Sequence, residues 1–247
     1  MKYFLETSDT IVDGVGFDSF GLCHILWIAA FIALSISVSL IYRKADKRAR
    51  KHLQRAMALL IVADEIFKMV MLTIGGNYTL SYLPLHLCSI NIILISIHVF
   101  KPSKTLDTFL YAICIPAAIV ALLFPTWTKL PFLNFMHLHS FSVHVLLGLY
   151  PIMLTAGGDI KPRARYIPRC LLLLLGMAIP LYFFNNRFGT NFMFLREVDS
   201  GNPLYIFEQT FGHHYWGFVV LIPIVLLIMF LPVELYHLYK KKKTTAD

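Results

Sequence analysis

The sequence predicts an all-α fold, a polytopic integral membrane bundle of seven transmembrane helices. Of its 247 residues, 57% are hydrophobic and 15% are charged, and the mean hydropathy is +0.67. Soluble domains are typically about 45–50% apolar and about 25% charged. The apolar residues also lie in long blocks, and a membrane-spanning helix needs about 20 such residues. We therefore expect a multi-pass protein of the cell membrane.

Successive apolar blocks justify each of the seven helices. The sixth block is short for a straight span, and prolines inside several blocks predict local kinks. We expect the first span to act as the insertion signal, because the polar segment before it lacks the pattern of a cleavable signal peptide. The predicted spans are residues 20–42, 55–74, 83–100, 106–124, 137–155, 170–184 and 215–239.

The basic residues predict the orientation of the bundle. They concentrate in the loops 43–51, 101–104 and 161–169 and in the lysine run 240–243, which seven spans would place on one side. By the positive-inside rule we expect the N-terminus outside and the C-terminus inside. The predicted domains are an extracytoplasmic segment 1–19, a transmembrane domain 20–239 and a basic cytoplasmic tail 240–247.

The formal charge of +8 does not indicate nucleic-acid binding, because no nucleic-acid-binding motif accompanies the basic loops. These cytoplasmic loops are predicted to contact anionic lipid headgroups instead. No dinucleotide or phosphate-binding glycine motif is present, so no cofactor is expected. The cysteines have neither metal-motif nor redox-motif spacing, and they do not indicate a disulfide scaffold. They are Cys23, Cys88, Cys114 and Cys170.

The third span begins with several polar side chains in an apolar run, namely His86, Cys88, Ser89 and Asn91. Polar groups in a membrane helix usually face the protein interior and mark a site or a path. Cys88 would lie about 7 Å below the outer edge of the membrane, and Asn91 would share its face. His86 points elsewhere on a regular helix, unless Pro84 distorts that turn.

The fifth span places His137, Ser140 and His144 on one helical stripe, and His139 lies off it. His144 would lie about 20 Å above the inner edge, close to the depth of Cys88. Two helices that brought Cys88 and His144 together would form a thiol–imidazole pair, which is the core of a nucleophilic site.

The second span carries Asp64, Glu65 and Lys68 near the middle of the membrane. Asp64 and Lys68 are four residues apart, so they are predicted to neutralise each other. Glu65 would then be protonated or would meet a histidine or another donor. The remaining isolated histidines and cysteines are interpreted as packing or interfacial residues. These are Cys23, Cys114, Cys170, His24, His98, His213, His214 and His237.

Two segments resemble motifs of a known family. The segment 83–88 (LPLHLC), preceded by a mid-membrane glutamate, resembles the YwaF-type bacterial integral membrane proteins. The segment 191–197 (NFMFLRE) resembles the loop before the last span of that family, with Phe192 in place of the usual tyrosine. The resemblance covers roughly residues 20–238.

That family is related to the eukaryotic transmembrane protein 164, an acyltransferase for ether phospholipids in which a cysteine and a histidine of separate spans are implicated. The resemblance implies that Cys88 and His144 are the catalytic pair. Glu65, His86 and Asn191 match motif positions, to which the resemblance assigns no role.

The predicted function is a membrane-embedded acyltransferase or transacylase acting on phospholipid or lipid-linked acyl groups. Cys88 would attack an acyl ester to form a thioester, and His144 would accept the thiol proton. Glu65 or Asn91 would orient the imidazole or stabilise the oxyanion. Membrane lipids are the predicted substrates. The predicted supporting or substrate-binding residues are Glu65, His86, Asn91, Ser140 and Asn191.

Other functions remain open at this point. A carrier, or a lipid- or solute-binding protein, would use Asp64, Glu65, Lys68 and the histidines without covalent chemistry. In a structural or partner-binding protein, these groups would only satisfy one another. A zinc site would be built from His86, Cys88, His137, His139 and His144.

Overall fold

The described residues fold into helices joined by turns and contain no strand, which confirms the all-α prediction. The structure, a computed structural model, describes residues 2–244. Residues 245–247 of the predicted tail lie outside this description, as do the side chains of the predicted lysine run 240–243 and of His237. The α-helices are α1 (Leu22–Lys44), α2 (Lys47–Ile74), α3 (Leu87–Phe100), α4 (Lys104–Phe109), α5 (Ile115–Leu123), α6 (Phe135–Ala156), α7 (Ile167–Phe188), α8 (Tyr205–Phe211) and α9 (Tyr215–Thr244).

In the described part of the chain, five helical segments are long and apolar enough to cross a membrane, as a multi-pass membrane protein requires. The helix α3 is apolar but has only 14 residues. The helix α2 has 28 residues but begins with basic turns. Because α3 is too short and α2 is too polar at its start, five segments and not the predicted seven are long and apolar enough to cross a membrane. The five segments are Leu22–Lys44, Lys104–Leu123, Phe135–Ala156, Ala164–Phe188 and Tyr215–Tyr236.

Three helix boundaries differ from the predicted ones for local chemical reasons. The helix α2 begins earlier because the Asp46 side chain caps it, accepting a 2.7 Å hydrogen bond from the Ala49 N–H. The helix α3 begins later, because Pro84 disfavours the α conformation at Leu83 and His86, the N-cap residue, has an extended backbone. The helix α7 extends beyond the predicted span 170–184 and ends at Phe188, where the following residue, Gly189, caps it with a φ of +70°. The sixth span is therefore not short.

The helix α6 lies at the centre of the bundle. Of its most apolar window, 67% is buried, compared with 11% for α1, 11% for the segment containing α7 and 6% for α9. The outer helices instead expose apolar side chains, as expected where a helix faces lipid. Gly148 permits the close approach of α1 to α6, because a Cβ atom there would lie 2.9 Å from the Phe31 ring.

A π-helical turn, Leu110–Cys114, joins α4 to α5. Such turns insert an extra residue into a helix and occur frequently at functional sites. On one side of this turn, the Tyr111 hydroxyl donates a 2.8 Å hydrogen bond to the Met229 carbonyl and fastens α9. On the other side, the Cys114 thiol contacts the Leu147 carbonyl of α6 at 3.4 Å. The turn thus connects the periphery to the central helix.

The N-terminal segment packs across the end of the bundle where α6 begins. The Asn134 side-chain amide donates 2.8 Å hydrogen bonds to the Tyr3 and Glu6 carbonyls. The Phe17 N–H donates a 2.9 Å hydrogen bond to the Thr128 carbonyl. The N-terminal segment and the loop before α6 therefore lie at the same end of the molecule.

Candidate functional site

A polar cluster lies between α2, α3 and α6. We name it the acid–histidine cluster. Four of its side chains are buried, while Asp64 and Ser142 are partly exposed. Buried charges are costly unless they are paired, so their partners define what the cluster can do. Its members are Asp64, Glu65, Lys68, Ser89, His139 and Ser142.

The cation of the cluster pairs with the glutamate. The Lys68 Nζ donates to Glu65 Oε1 at 2.5 Å, and the Ser89 hydroxyl donates to the same oxygen at 3.4 Å. The predicted Asp64–Lys68 pair is therefore wrong, whereas the prediction that Glu65 meets a histidine or another donor is confirmed. Spacings of three and four residues both bring helical side chains together. Helix α6 determines which pair forms, because its residues His139 and Ser142 contact Asp64 and leave Lys68 to pair with Glu65.

The His139 ring lies between the two carboxylates of α2. Its Nδ1 is 3.1 Å from Asp64 Oδ2 and its Nε2 is 3.7 Å from Glu65 Oε2. The Ser142 hydroxyl donates a 3.0 Å hydrogen bond to Asp64 Oδ1. However, Asp64 Oδ2 and His139 Nδ1 are both buried atoms, and although they lie close together neither makes a well-aligned hydrogen bond. The cluster therefore holds charges together while leaving hydrogen-bonding capacity unused.

Cys88 lies beside this cluster, in the first turn of α3. Its side chain is half-buried and packs against the apolar core, which confirms that it faces the protein interior. Lys68 and Glu65 both interact with it electrostatically. His86, the N-cap residue of α3, makes no side-chain capping hydrogen bond to the N–H groups of the first turn. All four cysteines are free.

His144 is held in a defined orientation on α6. Its ring stacks on Trp127 with centroids 5.4 Å apart, and its Nδ1 lies 2.6 Å from the Ser140 carbonyl. A carbonyl accepts, so Nδ1 carries the proton and Nε2 is assigned as the free acceptor. Asp64 and His139 interact with it electrostatically. Among the hydrogen bonds of residues 2–244, none joins His144 to Cys88.

His86 precedes α3 as its N-cap residue and contacts the distant 191–197 loop. Its Nδ1 accepts a 3.4 Å hydrogen bond from the Met193 N–H, and its ring packs edge-on against Phe192. This assigns the proton of the neutral ring to Nε2. Lys68 and His144 interact with it electrostatically. The two segments that resemble family motifs are thus neighbours in the fold.

The 191–197 loop has a strained backbone that Asn191 stabilises. Met193 and Phe194 have φ angles of 57° and 54°, which are unfavourable for residues with a Cβ atom. The Asn191 side chain donates to the Glu197 carbonyl at 2.8 Å and accepts from the Arg196 N–H at 3.1 Å. These bonds give Asn191 a role in folding the loop that holds His86.

Asn91 lies one turn after Cys88 on α3. It is 1% exposed, and its Oδ1 has no hydrogen-bond partner. Nearly all buried polar atoms in proteins are paired, so an unpaired one requires an explanation. Ser140, which is also buried, contributes its backbone carbonyl to His144.

A second polar cluster lies nearer the other end of the bundle. We name it the His98 cluster, and its members are His98, Lys104, Asp107 and Tyr150. His98 Nε2 lies 3.0 Å from Asp107 Oδ1, and His98 Nδ1 lies 2.9 Å from the Tyr150 hydroxyl. Lys104 donates to Asp107 Oδ2 at 3.1 Å. His98 therefore packs as predicted, but within a hydrogen-bonded network that the sequence did not indicate.

The five residues proposed as zinc ligands do not form one site within the described residues. His137 accepts a 3.2 Å hydrogen bond from Trp27 of α1, and its Nδ1 lies 3.2 Å from the Leu130 carbonyl. Within the described residues, no group of three or more histidine, cysteine, aspartate or glutamate side chains is arranged to hold a metal ion.

The helical bundle and its buried polar clusters define a multi-pass membrane protein with a charged interior site. The chain belongs to the TMEM164 family, whose model matches residues 19–233. Comparisons with curated proteins and with solved structures gave no match. The relation to the YwaF-type bacterial proteins stays a prediction.

Proposed function

We propose that this protein is a membrane acyltransferase or transacylase that acts on phospholipid or lipid-linked acyl groups through a thioester on Cys88. The observation that carries the proposal is the position of Cys88, in an uncapped helix turn beside a buried cluster of acids, a lysine and histidines. Membership of the TMEM164 family fits an acyltransferase-like role.

His144 is the base in this proposal. Its Nδ1–H is fixed by the Ser140 carbonyl, so its Nε2 is free to accept the thiol proton. The Cys88 sulfur attacks the ester carbonyl carbon, and a C–S bond forms. The ester C–O bond then breaks, and the imidazolium returns the proton to the leaving alkoxide. In this proposal the Cys88–His144 hydrogen bond forms only when substrate binds, as catalytic hydrogen bonds often do.

Donors near Cys88 stabilise the negative charge that develops during attack. The first-turn N–H groups of α3 lack a capping side chain, and a helix N-terminus favours negative charge. His86 adds an Nε2–H, because its Nδ1 accepts from the 191–197 loop. The acid–histidine cluster sets the charge around these groups, with Lys68 interacting with both Cys88 and His86.

The same proposal includes the seven-span arrangement in the cell membrane. The helices α2 and α3 would complete the bundle, with the N-terminus outside and the C-terminus in the cytoplasm. Cys88 would then lie in the outer half of the membrane, where a lipid could enter from the side.

The test is to trap the thioester. Purified protein is incubated with phospholipid carrying an isotope-labelled acyl chain, and label bound to protein is released with neutral hydroxylamine. We expect labelling of wild type and of Cys114→Ala, a matched control that removes a neighbouring thiol. Cys88→Ala should carry no label. Equal hydroxylamine-sensitive labelling of Cys88→Ala would refute the proposal.

A second candidate function is a carrier. The two acids of α2 favour it, because Asp64 Oδ2 and His139 Nδ1 lack hydrogen bonds and such groups can exchange protons or bind a polar solute. Its signature would be solute flux in liposomes that survives Cys88→Ala and fails with Glu65→Gln.

A further inference from the structure

A cavity of about 600 Å³ opens at the end of the bundle opposite to Cys88. It is formed by the first turns of α2, the end of α3, the start of α4 and the end of α6. Along α2, Lys51 of this cavity lies about 20 Å from Glu65 of the acid–histidine cluster, at 1.5 Å per residue. The cavity is therefore separate from the proposed acyl-transfer site.

Two cations at the cavity have no partner within the described residues. Lys51 and Arg55 line it from α2, and neither makes an ion pair or a hydrogen bond there. They are four residues apart on one helix, where like charges repel each other. A smaller adjoining depression, lined only by basic residues of α2, extends the positive surface. A bound anion would relieve this repulsion.

The acidic residues of the cavity are already neutralised. Asp107 lies between His98 and Lys104, at 3.0 and 3.1 Å. Asp159 accepts a 2.5 Å hydrogen bond from Tyr42 and lies 3.3 Å from Arg50. The net field at the cavity is therefore positive, and the hydrogen-bonded His98 cluster forms its rigid wall.

Apolar side chains form the rest of the wall, and they include Val99, Phe100, Pro102 and Leu154. Phe100 is 74% exposed and would contact acyl chains or the glycerol region of a lipid. We propose that this cavity binds the phosphate group of an anionic membrane phospholipid, with Lys51 and Arg55 as its phosphate ligands. The phosphate is the recognised group, and the apolar wall favours a lipid as its source over a soluble phosphate compound.

The test uses the full chain in nanodiscs of phosphatidylcholine with a minority of phosphatidate, and native mass spectrometry counts the lipids that stay bound. We expect selective retention of phosphatidate by wild type. The double variant Lys51→Gln/Arg55→Gln should weaken it roughly tenfold. The control Arg165→Gln/Arg169→Gln removes the same charge from the first turn of α7 and the turn before it, outside the cavity, and should leave retention unchanged. Equal losses in both variants, or no selectivity in wild type, would overturn the proposal.

The source of the phosphate is decided by competition. Inorganic phosphate and pyrophosphate are added to the wild type in the same nanodiscs. Retention of phosphatidate in their presence supports a lipid site. Displacement by either anion at concentrations comparable with the lipid would overturn the lipid assignment in favour of a soluble phosphate ligand. Since Lys51 and Arg55 make no ion pair or hydrogen bond with the described residues, thermal unfolding of the double variant should match that of wild type.

Discussion

The central helix α6 contributes to two histidine clusters that differ in how completely they are hydrogen-bonded. In the His98 cluster, both ring nitrogens have partners within 3.0 Å, and Asp107 is bound by two donors. In the acid–histidine cluster, His139 lies between two carboxylates, yet its Nδ1 and Asp64 Oδ2 lack hydrogen bonds. Asn91 nearby also has an unpaired oxygen.

This difference indicates a division of roles. A fully satisfied buried network rigidifies a fold, whereas unsatisfied buried groups raise the free energy of the folded state. Such groups persist at sites where a ligand or a reaction uses them. We therefore assign the His98 cluster to stability and the neighbourhood of Cys88 to chemistry. Variants near Cys88 should change the rate of thioester formation, and variants of the His98 cluster should change the free energy of unfolding.

The largest expected effect is on catalysis. The His144→Gln variant should lower the rate of thioester formation by about 10²–10⁴-fold, because it removes the proposed base. Its thermal unfolding should change little, since the one hydrogen bond of the His144 side chain goes to a backbone carbonyl within its own helix. Quenched-flow labelling with isotopic phospholipid measures the rate. An unchanged rate would remove His144 from the mechanism.

The next effect is on stability. The Asp107→Ala variant should cost about 3 kcal/mol in the free energy of unfolding, because the buried His98 Nε2–H loses its acceptor and Lys104 loses its ion-pair partner. Labelling of Cys88 per folded molecule should persist. Denaturation in mixed micelles measures the stability. If Asp107→Ala is as stable as wild type but loses labelling of Cys88, the His98 cluster acts in the chemistry and not in stability.

A smaller loss is expected for Tyr150→Phe. With His98 Nε2 donating to Asp107, the Tyr150 hydroxyl donates to Nδ1, and its removal leaves a buried acceptor unpaired. That should cost about 1–3 kcal/mol. The same denaturation assay compares it with Phe141→Leu, a buried α6 substitution outside the cluster. A cost near zero would mean that the His98 cluster does not stabilise α6.

The smallest effect is expected for Ser140→Ala. Ser140 orients His144 through its backbone carbonyl, which alanine retains. Both the labelling rate and the unfolding temperature should stay close to wild type. A large fall in rate with unchanged stability would show that the Ser140 hydroxyl acts directly in the reaction.

Much of the fold was predictable from the sequence because apolar blocks and prolines act locally. The helix boundaries that were missed depend on a cap at Asp46 and a glycine at position 189, and both are visible in the sequence. The π-helical turn at Leu110–Cys114 carries no comparable signal. It is stabilised by contacts with α6 and α9, which lie far away along the chain.

The candidate site was predictable in its residue types but not in its pairing. The sequence identifies Glu65 and Lys68, but Lys68 could pair with an acid three or four residues before it. The contacts of α6 with Asp64 determine that it pairs with Glu65. His139 lies off the stripe of His144, and the sequence offers it only for the zinc and carrier alternatives. Only the packing of α2 against α6 reveals it as the partner of both acids.

The most direct measurement is labelling by a thiol-reactive lipid that mimics an acyl chain. It compares wild type, Cys88→Ala, His144→Ala and the control Cys114→Ala. We predict labelling of wild type and of the control, weaker labelling of His144→Ala and none of Cys88→Ala. Equal labelling of all four, or no labelling of folded wild type, would contradict the assignment of chemistry to Cys88 and favour transport through the acids of α2.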